Sequence, residues 1–408
     1  MKRITIAVLL IAAVAFALPA AGTRQTETAQ GVTADSVLVG NSAATSGALA
    51  AVGVPFNRGI EAYFRMVNEA GGVAGRTIRW VHYDDEFDGA QGLTYAQRLV
   101  EDDKIFAFVG HFGTPTVAAT QDYLNTIGIP RVYYATGLRS LFNLNATGGA
   151  RGSFPVQPIY DAEGEVMVAR AVSDFGARRI GVIYPTADDG AGLLAGIQLR
   201  SGLLNVPIVT AQVAPDATDM SSAAQTIMSA NVDVVLVAAN QVPAEVAIKA
   251  LAAAGNTKPV ITSYVNAAPV FVQGVSEALG AFDVYANAWL QVVDNDGNPT
   301  PALNEYVEAV SKIDPALAGN PFAQAGWIAA ASFVQGLERV GTNPLTWDAF
   351  IAAMESAPIE IPLGGTVDFA NGRRVGTQAM SLLKAVYDDG EPGWIVDRPL
   401  DAIEDILR

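Results

Sequence analysis

Short apolar runs of strand length alternate along this chain with longer segments whose apolar positions recur at helical spacing. "SVLVGNSA" reads as a strand and "PFNRGIEAYFRMVNEAGG" as a helix, opened by Pro55 and closed by glycines. "RTIRWVHYDD" is a strand, "GLTYAQRLVED" a helix, "IFAFVG" a buried strand, "TVAATQDYLNTIG" a helix and "IPRVYYAT" a strand. Such βαβα repetition predicts a parallel sheet wrapped by helices. The pattern stops at Arg151–Pro158, "RGSFPVQP", and restarts. A second unit of similar size follows, from the helix "EGEVMVARAVSDFG" and the strand "RRIGVIYP" to the strand "PVITSY". "DVYANAWLQV" is then a strand, and "PALNEYVEAVSKI", "FAQAGWIAAASFVQGLERV" and "TWDAFIAAMES" are helices. The tail is rich in strand patterns, with hairpin-like turns at Asn371-Gly372 and Asp389-Gly390. The two α/β halves read as an architectural duplication.

Composition narrows the class. A length of 408 residues suits two domains, and 50% apolar with 16% charged residues allows sizeable cores and argues against disorder. The net charge of -16 weighs against nucleic acid and anionic membranes as partners, while leaving room for a local anion site. Residues 1–22, "MKRITIAVLLIAAVAFALPAAG", read as a secretory signal peptide: a basic start, an apolar run over Ile4–Leu18, then small residues. That run is short for a membrane span, and an uncleaved anchor is the alternative. The chain has no cysteine, so a lipid-anchored cysteine, a thiol nucleophile, a disulfide framework and Cys-ligated zinc are all excluded. Export without cysteine fits a Gram-negative periplasm.

The most specific chemical feature is "FVGHFGTPTVAATQDYL", residues 108–124. A strand end feeds a helix start, where unpaired N–H groups and the helix dipole favour an anion. Gly110 and Gly113 are expected to let the backbone approach a ligand, and the Thr114 hydroxyl adds a donor. A neighbouring strand end, "YYATGL", could add more amides and the Thr136 hydroxyl. Elsewhere the chemistry is thin. His82 alternates with Trp80 and reads as a packed histidine, whereas His111 lies in the cradle and is a candidate ligand contact. "GAGLLAG", Gly190–Gly196, has the wrong spacing for a dinucleotide loop and reads as a helix start that needs small residues. "HYDDEFDG" lacks the spacing of a Ca2+ loop and reads as a solvated strand end with Asp88 capping the next helix. No nucleophile elbow, zinc-binding helix or P-loop lysine is present.

"GVTADSVLVG", "GIEAYFRMVNEAGGVAGRTIRWVHYDDEFD", "FVGHFGTPTVAATQDYLNTIGIP" and "VPAEVAIKALAAAG" resemble the periplasmic leucine/isoleucine/valine-binding proteins, the type I solute-binding components of ABC importers. The resemblance runs over nearly the whole mature chain and is densest over residues 31–140. It implies a periplasmic, monomeric, non-catalytic protein without cofactor or metal, delivering a small solute to an ABC transporter permease. It implies two Rossmann-like α/β lobes, residues 31–155 with 287–357 and 156–286 with 358–408, joined by a three-strand hinge. The hinge strands are expected near Ser153–Pro158, Tyr285–Trp289 and Ile359–Leu363. By the same resemblance the cradle at Gly113 and Thr114 holds a ligand carboxylate, shared with Ala135 to Gly137. The family's hydroxyl at Gly137 is displaced here to Thr136. In the second lobe a family aromatic corresponds to Asp189, the acid facing the ligand ammonium to Tyr264, and a further aromatic to Asn240. The carboxylate end is thus kept and the ammonium end rearranged. Either Asp189 supplies the missing acid, or the ligand is a carboxylate or amide without an α-amino group. The competing readings are a secreted α/β hydrolase or dehydrogenase, and a ligand sensor for a membrane receptor.

Overall fold

The computed structural model describes residues 29–292 and 298–408, so the signal peptide expected at 1–22 lies outside the described residues. The first half builds β1 (Ser36–Ala43), α1 (Ala50–Glu69), β2 (Thr77–Asp84), α2 (Gly89–Glu101), β3 (Ala107–Phe112), α3 (Thr114–Ile127), β4 (Arg131–Ala135) and β5 (Ser153–Phe154). These strands form an all-parallel sheet in the order β2-β1-β3-β4-β5. The second half builds α4 (Tyr160–Ser173), β6 (Ile180–Pro185), α5 (Asp188–Leu204), β7 (Ile208–Val213), α6 (Ser221–Ser229), β8 (Val234–Val237), α7 (Val242–Ala253), β9 (Val260–Thr262), α8 (Pro269–Val275) and β10 (Val284–Ala288). Its strand order, β7-β6-β8-β9-β10, repeats that of the first sheet. The duplication read from the pattern is therefore one of topology. In such doubly wound sheets the ligand crevice opens at the carboxyl ends of the strands, where the strand order reverses.

The remaining chain supplies both halves. Helices α9 (Pro301–Ser311), α10 (Pro321–Val340) and α11 (Trp347–Glu355) join the first lobe, α10 packing on α1, β3 and β4. Trp327 is fully buried there, edge-on to Tyr63 and Tyr306 at 4.6 and 5.6 Å. Close approach of α1 and α10 depends on Gly59 and Gly326, whose missing Cβ atoms would fall 1.9 Å from the Ala323 carbonyl and 1.8 Å from that of Phe56. Strands β13 (Ala379–Asp388) and β14 (Glu391–Ala402) extend the second sheet antiparallel beyond β10. Asp389-Gly390 is their hairpin turn, with φ of 48° and 89°.

Three expectations change. Helix α1 begins at Ala50, not Pro55, which sits inside it at the cost of one helical hydrogen bond. Asn371-Gly372 joins no two strands; it is a tight turn that brings Ala146 onto the Gly372 carbonyl at 2.9 Å. The segment Ile359–Leu363, expected as a hinge strand, instead stays with the first lobe. Its first two residues, strand β11 (Ile359–Glu360), pair with β12 (Thr366–Val367). The Gln335 side chain of α10 bonds both the amide and the carbonyl of Glu360, at 3.0 and 2.7 Å. The chain remains on that lobe through Arg374, whose guanidinium holds Glu355 and the Arg151 carbonyl. It then passes the first connecting strand, where Thr377 N–H donates to the Val156 carbonyl at 2.7 Å, and enters β13.

Candidate functional site

A cleft of about 1460 Å3 lies between the lobes at the carboxyl ends of β3, β4, β6 and β8, and α3 and α5 approach each other across it. On the first lobe Gly113 is the N-cap of α3, with φ of 90°, a conformation that favours glycine. The turn leaves the Thr114 and Thr116 amides without an intrahelical acceptor. Thr114 and Thr136 share a hydroxyl–hydroxyl hydrogen bond of 2.9 Å. Thr114, Gly113 and Ala135 line the cleft; Thr136 is buried behind Thr114. Gly137 is also outside the lining: its carbonyl accepts from the Tyr160 amide at 2.8 Å, and a Cβ there would meet Tyr160 and the Pro158 carbonyl.

On the second lobe Asp189 and Asn240 line the cleft together. Asn240 Nδ2 donates to Asp189 Oδ2 at 2.9 Å and approaches the Tyr160 hydroxyl at 3.4 Å. Burial pushes the Asp189 carboxyl above its ordinary range, opposed by the Gly190 amide, its own amide and Asn240. Asn240 Oδ1 is buried and has no partner, an acceptor left over for a donor in the cleft. The Tyr160 phenol is pushed up to about 12 by burial and by the Asp189 charge. Tyr264 is a wall and not an acid: its ring lies 6.1 Å from that of Tyr160, and its hydroxyl donates to the Pro158 carbonyl at 3.0 Å.

Several lining residues were not foreseen. Gln157, on the first connecting strand, donates to the Tyr264 hydroxyl and accepts from that of Tyr133, both at 2.9 Å, tying the lobes together beneath the cleft. Tyr133 lies inside β4 with φ of 66°, opposite Gly110 with φ of 71°, and this pair is missing from the otherwise regular β3–β4 ladder. A left-handed tyrosine costs on the order of 1–3 kcal/mol and persists only where its surroundings hold it. Here Phe56, Trp289 and Gln157 do so. Gln157 and Tyr160 lie where the βαβ pattern breaks, and a connecting strand must border the cleft; that signal was available. A strand irregularity such as Tyr133 leaves no mark in the pattern.

The cradle needs two corrections. A Cβ on Gly110 would strike Ile60 and Phe56, so that glycine makes room for α1 and not for a ligand. His111 is fully buried, its Nε2 shares a 2.8 Å hydrogen bond with the Thr120 hydroxyl, and it does not line the cleft. Burial and the Arg131 charge push it down to about 3, leaving it neutral. His82 is structural as read, held by Thr45, Asn57 and Asn41. Asp88 caps α2 as read, but its neighbour Asp85 is fully buried, bonding the Thr116 hydroxyl and the Phe87 amide at 3.0 Å each. Gly190 and Gly196 serve packing: Cβ atoms there would lie 2.3 Å from the Pro185 carbonyl and 1.9 Å from that of Asp161.

No group of side chains able to hold a metal, and no helix long and apolar enough to cross a membrane, occurs among the described residues. The geometry is that of a two-lobed binding protein with parallel α/β lobes. The family profile described as periplasmic binding protein matches residues 36–391, and the chain belongs to that family. It is a type I solute-binding protein, of a non-catalytic extracytoplasmic family, related to the branched-chain amino acid-binding proteins of ABC transporters. It is 24% identical over 365 residues to Leu/Ile/Val-binding protein homolog 3 of Brucella melitensis, covering 87% of this chain and 92% of that one. A fatty acid ABC transporter substrate-binding protein from Thermomonospora curvata shares the fold with a TM-score of 0.79 at 20% identity, over 93% and 96% of the two chains. A branched chain amino acid ABC transporter protein from Thermus thermophilus with bound valine has a TM-score of 0.79 at 16% identity, over 92% and 98%.

Proposed function

We propose that this protein captures an amino acid between its lobes and delivers it to an ABC permease after export by its N-terminal signal. The ligand carboxylate sits at the α3 N-terminus against the Thr114 hydroxyl, which Thr136 orients. The ammonium sits against Asp189, held by Asn240, whose free Oδ1 accepts a second donor. The reading rests on one observation: Thr114, backed by Thr136, and the Asn240–Asp189 pair, one on each lobe, line a single cleft with Tyr160 between them. A ligand bridging them stabilises the closed form by its differential affinity for that form. The relatives' names, which include Leu/Ile/Val, and the valine bound to the Thermus thermophilus protein support an amino acid as the cargo. Removing the Thr114 hydroxyl by Thr114→Val should weaken binding by roughly 1.5–3 kcal/mol, the worth of a hydrogen bond to a charged group. Calorimetric titration with leucine, valine and phenylalanine measures it, and unchanged affinity takes Thr114 out of the site.

A further inference from the structure

A branched-chain side chain is short, and this cleft is long. The cleft is about 1460 Å3, and apolar side chains continue along its lining beyond the cradle. From Phe112, next to the cradle glycine, a row of rings runs Phe112, Phe56, Tyr133, Trp289, with successive centroids 5.6, 5.7 and 6.4 Å apart. All four lie in the floor of the cleft, none more than 6% exposed, and support the surface above them. Past Trp289 the lining continues with Leu290, Leu303, Phe322 and Leu383, all half-buried. Apolar surface continuous with a polar binding end is where a ligand's hydrocarbon part gains most by leaving water. The charge of the lining is equally one-sided: Asp188, Asp189, Asp216 and Asp397 line the cleft, and no lysine, arginine or histidine does among the described residues. That field disfavours a bare anion and accepts a zwitterion whose ammonium faces it.

We propose that the cargo is an α-amino acid with a straight side chain longer than that of norleucine, laid over the ring row towards Trp289 and Leu290. This rests on the amino-acid reading of the same site and narrows it.

Calorimetry at neutral pH with α-aminobutyrate, norleucine, α-aminooctanoate and α-aminodecanoate, together with leucine and the matching fatty acids, tests it on the unmodified protein. Each added methylene should strengthen binding about three- to fourfold, so α-aminooctanoate, two methylenes longer, should bind about nine- to sixteenfold tighter than norleucine. An optimum at leucine, or affinity that is flat or falling beyond norleucine, overturns the proposal. Fatty acids binding more tightly than amino acids of equal length overturn the head-group assignment. Absence of binding by every amino acid would sink the amino-acid site itself, a separate failure. Phe322→Ser, at the rim of the apolar end, should weaken α-aminooctanoate at least several-fold and leave α-aminobutyrate unchanged. Equal effects on both overturn the placement of the chain.

Discussion

Glu163→Gln isolates a buried carboxyl directly behind the binding wall. Glu163 lies in the first turn of α4 and is fully buried. Its Oε1 accepts from the Tyr264 amide at 2.7 Å and from Asn287 Nδ2 at 3.3 Å, and its Oε2 meets the Ser263 hydroxyl at 2.9 Å. Burial pushes the carboxyl from 4.5 up to about 8, against the pull of these three donors. Because the folded pKa is raised, the folded chain holds one more proton than the unfolded chain between those values. Stability from this group is therefore full below about pH 4.5 and is lost as pH rises towards about 8, with a slope of up to about 1.4 kcal/mol per pH unit. Glutamine copies the protonated acid: its oxygen can accept from Tyr264 and Asn287, and its amide can donate to Ser263. The variant should match the native protein to within about 1 kcal/mol near pH 5. It should then gain on it by roughly 3 kcal/mol by pH 8. Urea unfolding of both proteins at several pH values between 5 and 9 reads the difference directly, and contributions common to both cancel. Parallel stability curves would refute a protonated Glu163.

Two further substitutions probe the ammonium end and the lobe core. Asp189→Asn should weaken amino acids by roughly 1.5–3 kcal/mol more than their des-amino analogues, because a hydrogen bond between charged partners is replaced by a neutral one; equal losses in calorimetry would mean that Asp189 faces no ammonium. Gly326→Ala places a Cβ where the Phe56 carbonyl stands and should cost roughly 1–3 kcal/mol by forcing α1 and α10 apart; an unchanged thermal midpoint would show that the crossing is not tight.

Much of the fold was legible because its determinants are local. Alternating strand and helix periods mark a parallel α/β sheet wherever they occur, and the break at Arg151–Pro158 marks the change of lobe. The turn at Gly113 was legible for the same reason: a glycine between a strand and a helix leaves the first helical amides free through neighbouring residues alone. His111 and Gly110 were misplaced because sequence proximity to that turn says nothing about which side of the strand they face. Both face helices and not the cleft, Gly110 against α1 and His111 against α3.

The amino-acid order by itself determined two doubly wound units, their duplication and the glycine turn that leaves amides free beside Thr114. Only the tertiary structure decided what meets that turn. The Tyr133–Gln157–Tyr264 link, the Asn240–Asp189 pair and the path of residues 359–374 all join positions far apart in the chain. Their energies depend on burial and on distances set by the packing of two lobes, and local periodicity carries neither.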